Sequence, residues 1–343
     1  MKIINKLAVF GVVLLLIGCS KPVLEDRLAD KSIFRGVAFV GMTVSDAQSA
    51  KAFYDYVFGL AEDTSSSEIP NGLLPAGAEN GSTYTSAVLR STNAQLMLFD
   101  FPERDGRENA VAVQGPGIAH VCYQMDKRLA AYQKALEKGA THIGDIDMVK
   151  LSPMKPVEYA YVHDHDGIMF EVEHVDMEKL GDEVRPSVDR RIRHVSFATS
   201  DIDRLVGFYA KFMGVKKPRR ADKLSSSKVD KVSGLPDSEL SMGWIQVGNL
   251  ELEFVQYHSH PVDPRKEPRS IDSLGYNMIV LDVADVSRAT ELLLAAGGTL
   301  LPTGEGRDSE AIVFGRDIDG NLLGMANFPE NSRFSADSFE YQY

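Results

Sequence analysis

The stretch VHDHDGIMFEVEHVD, residues 162–176, holds three histidines, three aspartates and two glutamates. Imidazole nitrogens and carboxylate oxygens are the donors that divalent Ni, Zn, Mn, Fe or Co accept. A carboxylate beside such an ion is also placed to take a proton from carbon. The same letters have a second reading. Asp-x-Asp-Gly is turn chemistry, in which Asp164 and Asp166 bond nearby backbone amides before Gly167, and the residues after it alternate like a strand. On that reading His163 and His165 are solvated turn residues, and Glu171 and Glu173 share one face of the strand. Glu173 then either touches a substrate or sits on an exposed rim.

Internal repetition bears on the choice. DHDGIMFEVE (164–173) returns as DIDGNLLGMA (317–326), where the aspartates and the glycine persist while the histidine and both glutamates do not. A turn role for Asp164, Asp166, Asp317 and Asp319 follows. FRGVAFVGMTVSDAQSAKAFYDYVFGL (34–60) likewise returns as RIRHVSFATSDIDRLVGFYAKFMGV (191–215), with Ser-Asp, Phe-Tyr and Gly at matching offsets, and GIAHVCYQMDKRLAAYQKALEKGA (117–140) as GYNMIVLDVADVSRATELLLAAGG (275–298). Repetition on this scale is a duplication and outranks any local motif. Four units result, at about 34–101, 116–175, 191–257 and 273–328. Each reads as a strand, an amphipathic helix starting at Asp or Ser-Asp, and three short strands. An α+β fold of four βαβββ modules is expected, with residues 32–175 as one domain, 176–190 as linker, 191–330 as a second domain and 331–343 as a tail. Residues 216–239, rich in Lys and Ser, read as an extra mobile loop over the site.

The chain opens with the short basic start MKIINK, then the apolar run LAVFGVVLLLIG and Cys19. That run is too short to span a bilayer and has the form of a secretory signal. Leu16-Ile17-Gly18-Cys19 resembles the lipobox of bacterial lipoproteins, which implies a signal peptide over 1–18, lipidation of Cys19 and a tether over 19–31. Ser20 resembles the residue that follows the cysteine in lipoproteins sorted to the outer membrane. A lipid-anchored protein of the bacterial cell envelope, on the periplasmic face of the outer membrane, is the expectation. Cys122 is the one other cysteine, so no intramolecular disulfide is available once Cys19 is lipidated. A net charge of -12 without a basic run argues against nucleic acid as a partner. A monomer or loose dimer that binds a small molecule is expected.

The four repeated units, with their Ser-Asp, Phe-Tyr, Gly and Asp-x-Asp-Gly markers, resemble the vicinal oxygen chelate superfamily over nearly all of the chain after the signal. Its members include glyoxalase I, extradiol dioxygenases, methylmalonyl-CoA epimerase and the bleomycin and fosfomycin resistance proteins. The resemblance implies that two modules pair into a cup with a metal at its base. The ligands come from the first strand of a module, usually His or Gln, and from its last strand, usually Glu. At the first-strand position module 1 has Phe39, module 2 His120, module 3 His194 and module 4 Met278. At the last-strand position they have Met97, Glu171, Glu253 and Gly324. Modules 2 and 3 therefore each carry a His and a Glu, and modules 1 and 4 carry neither. That sorting points to module 2 pairing with module 3 and module 1 with module 4, giving one complete cup and one without ligands.

The resemblance thus implies one divalent metal held by His120, Glu171, His194 and Glu253, with Glu171 and Glu253 as candidate bases. Glu251, two residues from Glu253 on the same strand face, is the rival ligand. Two carboxylates offset the 2+ charge and leave a neutral site suited to a diol, hydroxyketone or enediolate. Four ligands suit isomerase, lyase or epimerase chemistry on a small hydroxycarbonyl. Two alternatives stay open, an extradiol ring-cleaving dioxygenase and a non-catalytic protein that sequesters a ligand. Cys122 reads as packing, and Tyr159 and Tyr161 as cup wall or core. His258 and His260 read as exposed loop, and His142 and His174 have no assigned partner.

Overall fold

The structure, a computed structural model, describes residues 26–62, 72, 74, 84–102, 108–145, 147–150, 156–176, 179, 189–302 and 312–339. The signal over 1–18, Cys19 and most of the linker lie outside the described residues.

Four modules follow one another as expected. Module 1 comprises β1 (Phe34–Val44), α1 (Ala47–Phe58), β2 (Ala61–Glu62), β3 (Thr85–Arg90) and β4 (Gln95–Asp100). Module 2 comprises β5 (Gly117–Asp126), α2 (Ala131–Glu137), β6 (Thr141–His142), β7 (Val157–His163) and β8 (Met169–Val175). In module 3 they are β9 (Arg190–Ala198), α3 (Ile202–Met213), β10 (Arg219–Ser225), an additional short helix α4 (Ser227–Ser233), β11 (Glu239–Val247) and β12 (Leu250–Tyr257). Module 4 has β13 (Gly275–Val283), α5 (Val286–Ala296), β14 (Thr299–Leu300), β15 (Val313–Arg316) and β16 (Leu322–Ala326). No helix among the described residues is long and apolar enough to cross a membrane.

The helix ends are written in the sequence. Asp46, Asp201 and Asp285 cap α1, α3 and α5 by accepting the amides of Ser49, Arg204 and Arg288. Gly59, Gly214 and Gly297 end the same helices at φ of 66°, 71° and 107°, a conformation that costs least without a Cβ. Module 2 departs from the pattern. Asp126 caps a 3-10 turn instead, and α2 starts only after Ala130 at φ 51°.

Strand pairing settles how modules combine. One eight-stranded sheet runs β14-β15-β16-β13-β1-β4-β3-β2, and the other runs β10-β11-β12-β9-β5-β8-β7-β6. Module 1 therefore pairs with module 4, and module 2 with module 3, so each half of the chain gives one module to each cup. The central seams are antiparallel, β1 with β13 and β5 with β9. In the second seam two β-bulges leave Ala119 on β5 and Arg193 on β9 without opposing residues. Such bulges re-aim side chains near a site.

Two sets of buried bonds tie the cups together. Tyr54 donates to Asp164, and Tyr209 to Asp317, each at 3.0 Å. The Phe-Tyr and Asp-x-Asp-Gly markers are thus the two ends of one bond. Asp164 also accepts the amides of Asp166 and Ile168, and Asp317 those of Asp319 and Asn321. Burial pushes both carboxyls up to about 6. Asp166 accepts from Ser45, and Asp319 from Thr199 and Arg204. At the second joint, Asn93 Nδ2 donates to Asn249 O at 2.9 Å and Asn249 Nδ2 to Asn93 O at 2.8 Å, while each amide also clasps the backbone of the other cup.

The cup of modules 1 and 4 is packed solid. Phe39, Met97 and Met278, at three of the ligand positions, are fully buried with Phe99, Val280 and Phe314. At the fourth, a Cβ on Gly324 would lie 2.8 Å from the side chains of Ile312 and Val280. Part of the segment read as a tail completes this core, since Phe334 packs edge-on against Phe39 and the Ala336 amide donates to the buried Asp282. Residues of the tether also dock, with the Ala29 amide donating to Gln246 O and Asp30 to Met213 O.

Residues 216–239 are not the open loop that their composition suggested. They form the edge strand β10, paired to β11, and α4, whose Val229 and nearby Leu235 pack over the apolar end of the module 2 and 3 cup. Exposed charges along β10 give it the look of a loop, although charged residues are how an edge strand avoids further pairing.

Candidate metal centre

His120 on β5, Glu171 on β8, His194 on β9 and Glu253 on β12 come together on the concave face of the module 2 and 3 sheet. One ligand atom from each lies within 4.8 Å of all the others, and the four residues are only 2 to 4% exposed. Glu171 Oε2 is 3.2 Å from Nε2 of both His120 and His194. Glu253 Oε2 is 3.3 Å from His194 Nε2 and 3.7 Å from His120 Nε2, and the two Nε2 atoms are 3.3 Å apart.

These spacings fit a cation. Donors held at about 2.1 Å from one ion are separated by about 3.0 Å in cis octahedral positions and about 3.4 Å in tetrahedral ones. Charge makes the same point. Two carboxylates buried side by side are costly unless compensated, and Glu253 Oε2 has no hydrogen-bond partner among the described residues. A divalent ion would neutralise both. Burial pushes the Glu171 carboxyl up, but the bonds from His120 and His194 outweigh it and hold the group well below the usual carboxylate range. Burial pulls His194 down, and the attraction of Glu253 and the bond to Glu171 reverse that shift.

Of the two rival glutamates, Glu253 lies in the cluster and Glu251 does not. Glu251 is bound to Arg219 at 2.9 Å. The hairpin joining β11 and β12 turns at Gly248-Asn249 and places Trp244 directly opposite Glu253. The Trp244 indole N–H donates to Glu253 Oε1 at 2.8 Å. Neither Trp244 nor Arg219 was singled out from the sequence. Counting outward from the Gly-Asn turn would have paired Trp244 with Glu253, because a two-residue turn fixes register.

The other candidates take the plainer roles. Glu173 does not sit on an exposed rim, being buried and bonded to Gln124 and to Arg193, the latter at 2.6 Å. The Cys122 thiol is buried, which together with the Glu171 charge pushes its pKa well up and leaves it a packing residue. Tyr161 stands in the cup wall with its ring 5.0 Å from that of His120. His142 and His174 share a partner, Tyr132, through its hydroxyl and its amide respectively. His165 lies against Phe53, His258 against Ser241 and His260 against the Pro236 carbonyl. None of these histidines belongs to the cluster.

The apolar end of the cup is formed by Met169, Ala198, Leu240, Val255 and Tyr257. At its other end lie the ion pairs of Arg193 with Glu173 and of Arg219 with Glu251.

A family model described as Glyoxalase/Bleomycin resistance protein/Dioxygenase superfamily matches residues 36–172 and 191–325. Among solved structures, glyoxalase I from Zea mays matches with a TM-score of 0.59 and 18% identity, covering 85% of this chain and 92% of that one. A protein from Bacillus subtilis assigned as a dioxygenase matches with a TM-score of 0.54 and 12% identity, covering 90% and 89%. At these identities the likeness is one of fold. No curated protein sequence matches.

Proposed function

Because the chain belongs to the Glyoxalase/Bleomycin resistance protein/Dioxygenase superfamily, we propose that it is a metal-dependent isomerase, lyase or epimerase of glyoxalase type. Its substrate would be a small hydroxycarbonyl compound or a relative of one. The observation that carries this reading is the second carboxylate. His120, Glu171 and His194 alone would match the two-histidine, one-carboxylate set of an oxygen-activating site. Glu253 adds a fourth donor with one oxygen tied down and the other aimed at the centre.

A divalent cation bound by these four residues would supply a Lewis acid that makes a carbon–hydrogen bond beside a carbonyl more acidic. The chain's own groups divide the remaining work. Either carboxylate of the set, Glu171 or Glu253, could take the proton once displaced from the ion, and Glu253 is the better placed, because Trp244 would keep hold of Oε1 while Oε2 has no hydrogen-bond partner among the described residues. Tyr161 and the apolar end of the cup, roofed by Val229 and Leu235, keep bulk water from the exchanging proton. We further propose that this chemistry takes place in the cell envelope, with the protein held by a lipidated Cys19.

Two measurements test the reading. Metal content is measured for the wild type and for a His120→Ala, His194→Ala double mutant, with about one ion per chain expected in the first and none in the second. Exchange of the carbon-bound proton is then followed by NMR with a panel of hydroxyketones in deuterated water. It should occur in the metal-loaded wild type and be lost in Glu253→Gln. Oxygen uptake with catechols in place of proton exchange would give the site to ring cleavage instead.

A further inference from the structure

Four side chains form a continuous line across β10, β11 and β12, and its inner end is a ligand. Glu251 accepts from Arg219 at 2.9 Å. The Arg219 guanidinium lies over the Trp244 ring, 4.1 Å from its centroid. Trp244 donates to Glu253 Oε1 at 2.8 Å. The register makes the line possible, because Arg219 is paired with Trp244 and Trp244 with Glu253 across neighbouring strands.

We propose that Trp244 is a positioning residue for the metal centre, that its indole N–H fixes Glu253 in the ligating orientation, and that Arg219 locks the indole by stacking on it. The inference rests on the metal reading given above. The indole can only donate, so it engages Oε1 of Glu253 and leaves Oε2 as the oxygen facing the centre. A glutamate without that bond has three side-chain torsions with which to swing off the centre. Arg219 is suited to its place because a flat guanidinium can stack on the ring while its edge bonds Glu251, which an ammonium cannot do. Removal of partners of this kind typically costs about 10- to 100-fold in metal affinity.

The test is built into the composition, since Trp244 is the single tryptophan of the chain. Full-length protein in detergent is titrated with Ni²⁺ alone while Trp244 emission is recorded, and affinities of all variants are obtained by competition with a chelating dye. The wild type should change emission and saturate at about one ion per chain. Trp244→Phe, which keeps the ring and loses the donor, should bind Ni²⁺ about 10- to 100-fold more weakly. Trp244→Gln restores a side-chain N–H without adding an imidazole that could itself bind Ni²⁺, and should bind more tightly than Trp244→Phe, which a purely packing role would not predict. Arg219→Lys keeps the charge beside Glu251 but loses the stack, and should both shift the metal-free emission and weaken Ni²⁺ binding by about 10-fold.

A Trp244→Phe affinity within twofold of wild type overturns the proposal, as does equal weakening in the Phe and Gln variants. If Trp244→Phe does not fold, Arg219→Lys decides, and an affinity within twofold of wild type again overturns it. A wild type that binds no Ni²⁺ removes the metal reading and this inference together. A wild type that binds normally beside a normal Trp244→Phe removes this inference alone.

Discussion

Replacing Asn249 with Ala tests the joint between the cups. Asn249 Oδ1 accepts the Val37 amide at 2.8 Å, and Nδ2 donates to Val37 O at 3.0 Å and to Asn93 O at 2.8 Å, all buried. Truncation orphans one buried N–H, at about 1–3 kcal/mol, and takes one donor from each of two carbonyls, at about 0.5–1.5 kcal/mol apiece. The expected loss is about 3–4 kcal/mol, read as a lower urea midpoint with an unchanged slope by circular dichroism. Asn249→Asp keeps the acceptor for Val37 but turns an oxygen towards two carbonyls, so it should cost at least as much. Asn93 makes the reciprocal clasp on Ile192 and Asn249, so the double mutant should depart from additivity by about 0.5–3 kcal/mol. A loss below about 1 kcal/mol, or an Asp variant milder than the Ala variant, would refute the assignment of these bonds as the joint.

His174, buried and accepting the Tyr132 amide, is pulled down from 6.5 to about 4, chiefly by burial. The unfolded chain therefore binds the proton first, and stability present above pH 6.5 is lost as pH falls towards 4, by about 3 kcal/mol in all. The stability advantage of wild type over His174→Gln should shrink by most of that amount between pH 7 and pH 4.5, and a pH-independent difference would exclude His174 as the source. Installing polar side chains in the other cup, as Phe39→His, Met97→Glu, Met278→His and Gly324→Glu, should sharply lower the urea midpoint rather than create a second metal site, because it buries four polar groups in an apolar core, and a folded variant that binds two ions per chain would contradict this. Cys19→Ser should move the protein from the membrane to the soluble fraction of cells and abolish labelling with a fatty-acid probe, and a labelled variant would contradict lipidation at that residue.

Much of the architecture was legible because its markers are backbone devices. Asp46, Asp201 and Asp285 cap helices, and Gly59, Gly214 and Gly297 end them, so their spacing carried the module count. The four clustered side chains were legible by offset from these markers, and their sorting among modules foretold a pairing that no local pattern specifies. The bulges at Ala119 and Arg193 left no such trace, since any residue can be the extra one in a strand. Residues 216–239 were misread because an exposed edge strand and a loop share a polar composition. Phe334 was read as part of a tail because it lies beyond the end of the last repeat, where nothing in the duplication marks a packing partner.

The two cups resolve opposing demands on one scaffold. A cluster of two imidazoles and two carboxylates is a burden on the fold, because ligand atoms of four buried polar side chains lie within 4.8 Å of one another. In the other cup the equivalent positions hold Phe39, Met97, Met278 and Gly324, and aromatic residues from the C-terminal segment fill the space that a ligand would need. Burial of apolar side chains there stabilises the fold by roughly 1.5–3 kcal/mol each. The Asn93–Asn249 clasp and the Tyr54–Asp164 and Tyr209–Asp317 bonds tie that core to the sheet of modules 2 and 3. Apolar residues at these positions of modules 1 and 4 therefore have a structural role of their own, as the core against which modules 2 and 3 hold a buried polar cluster.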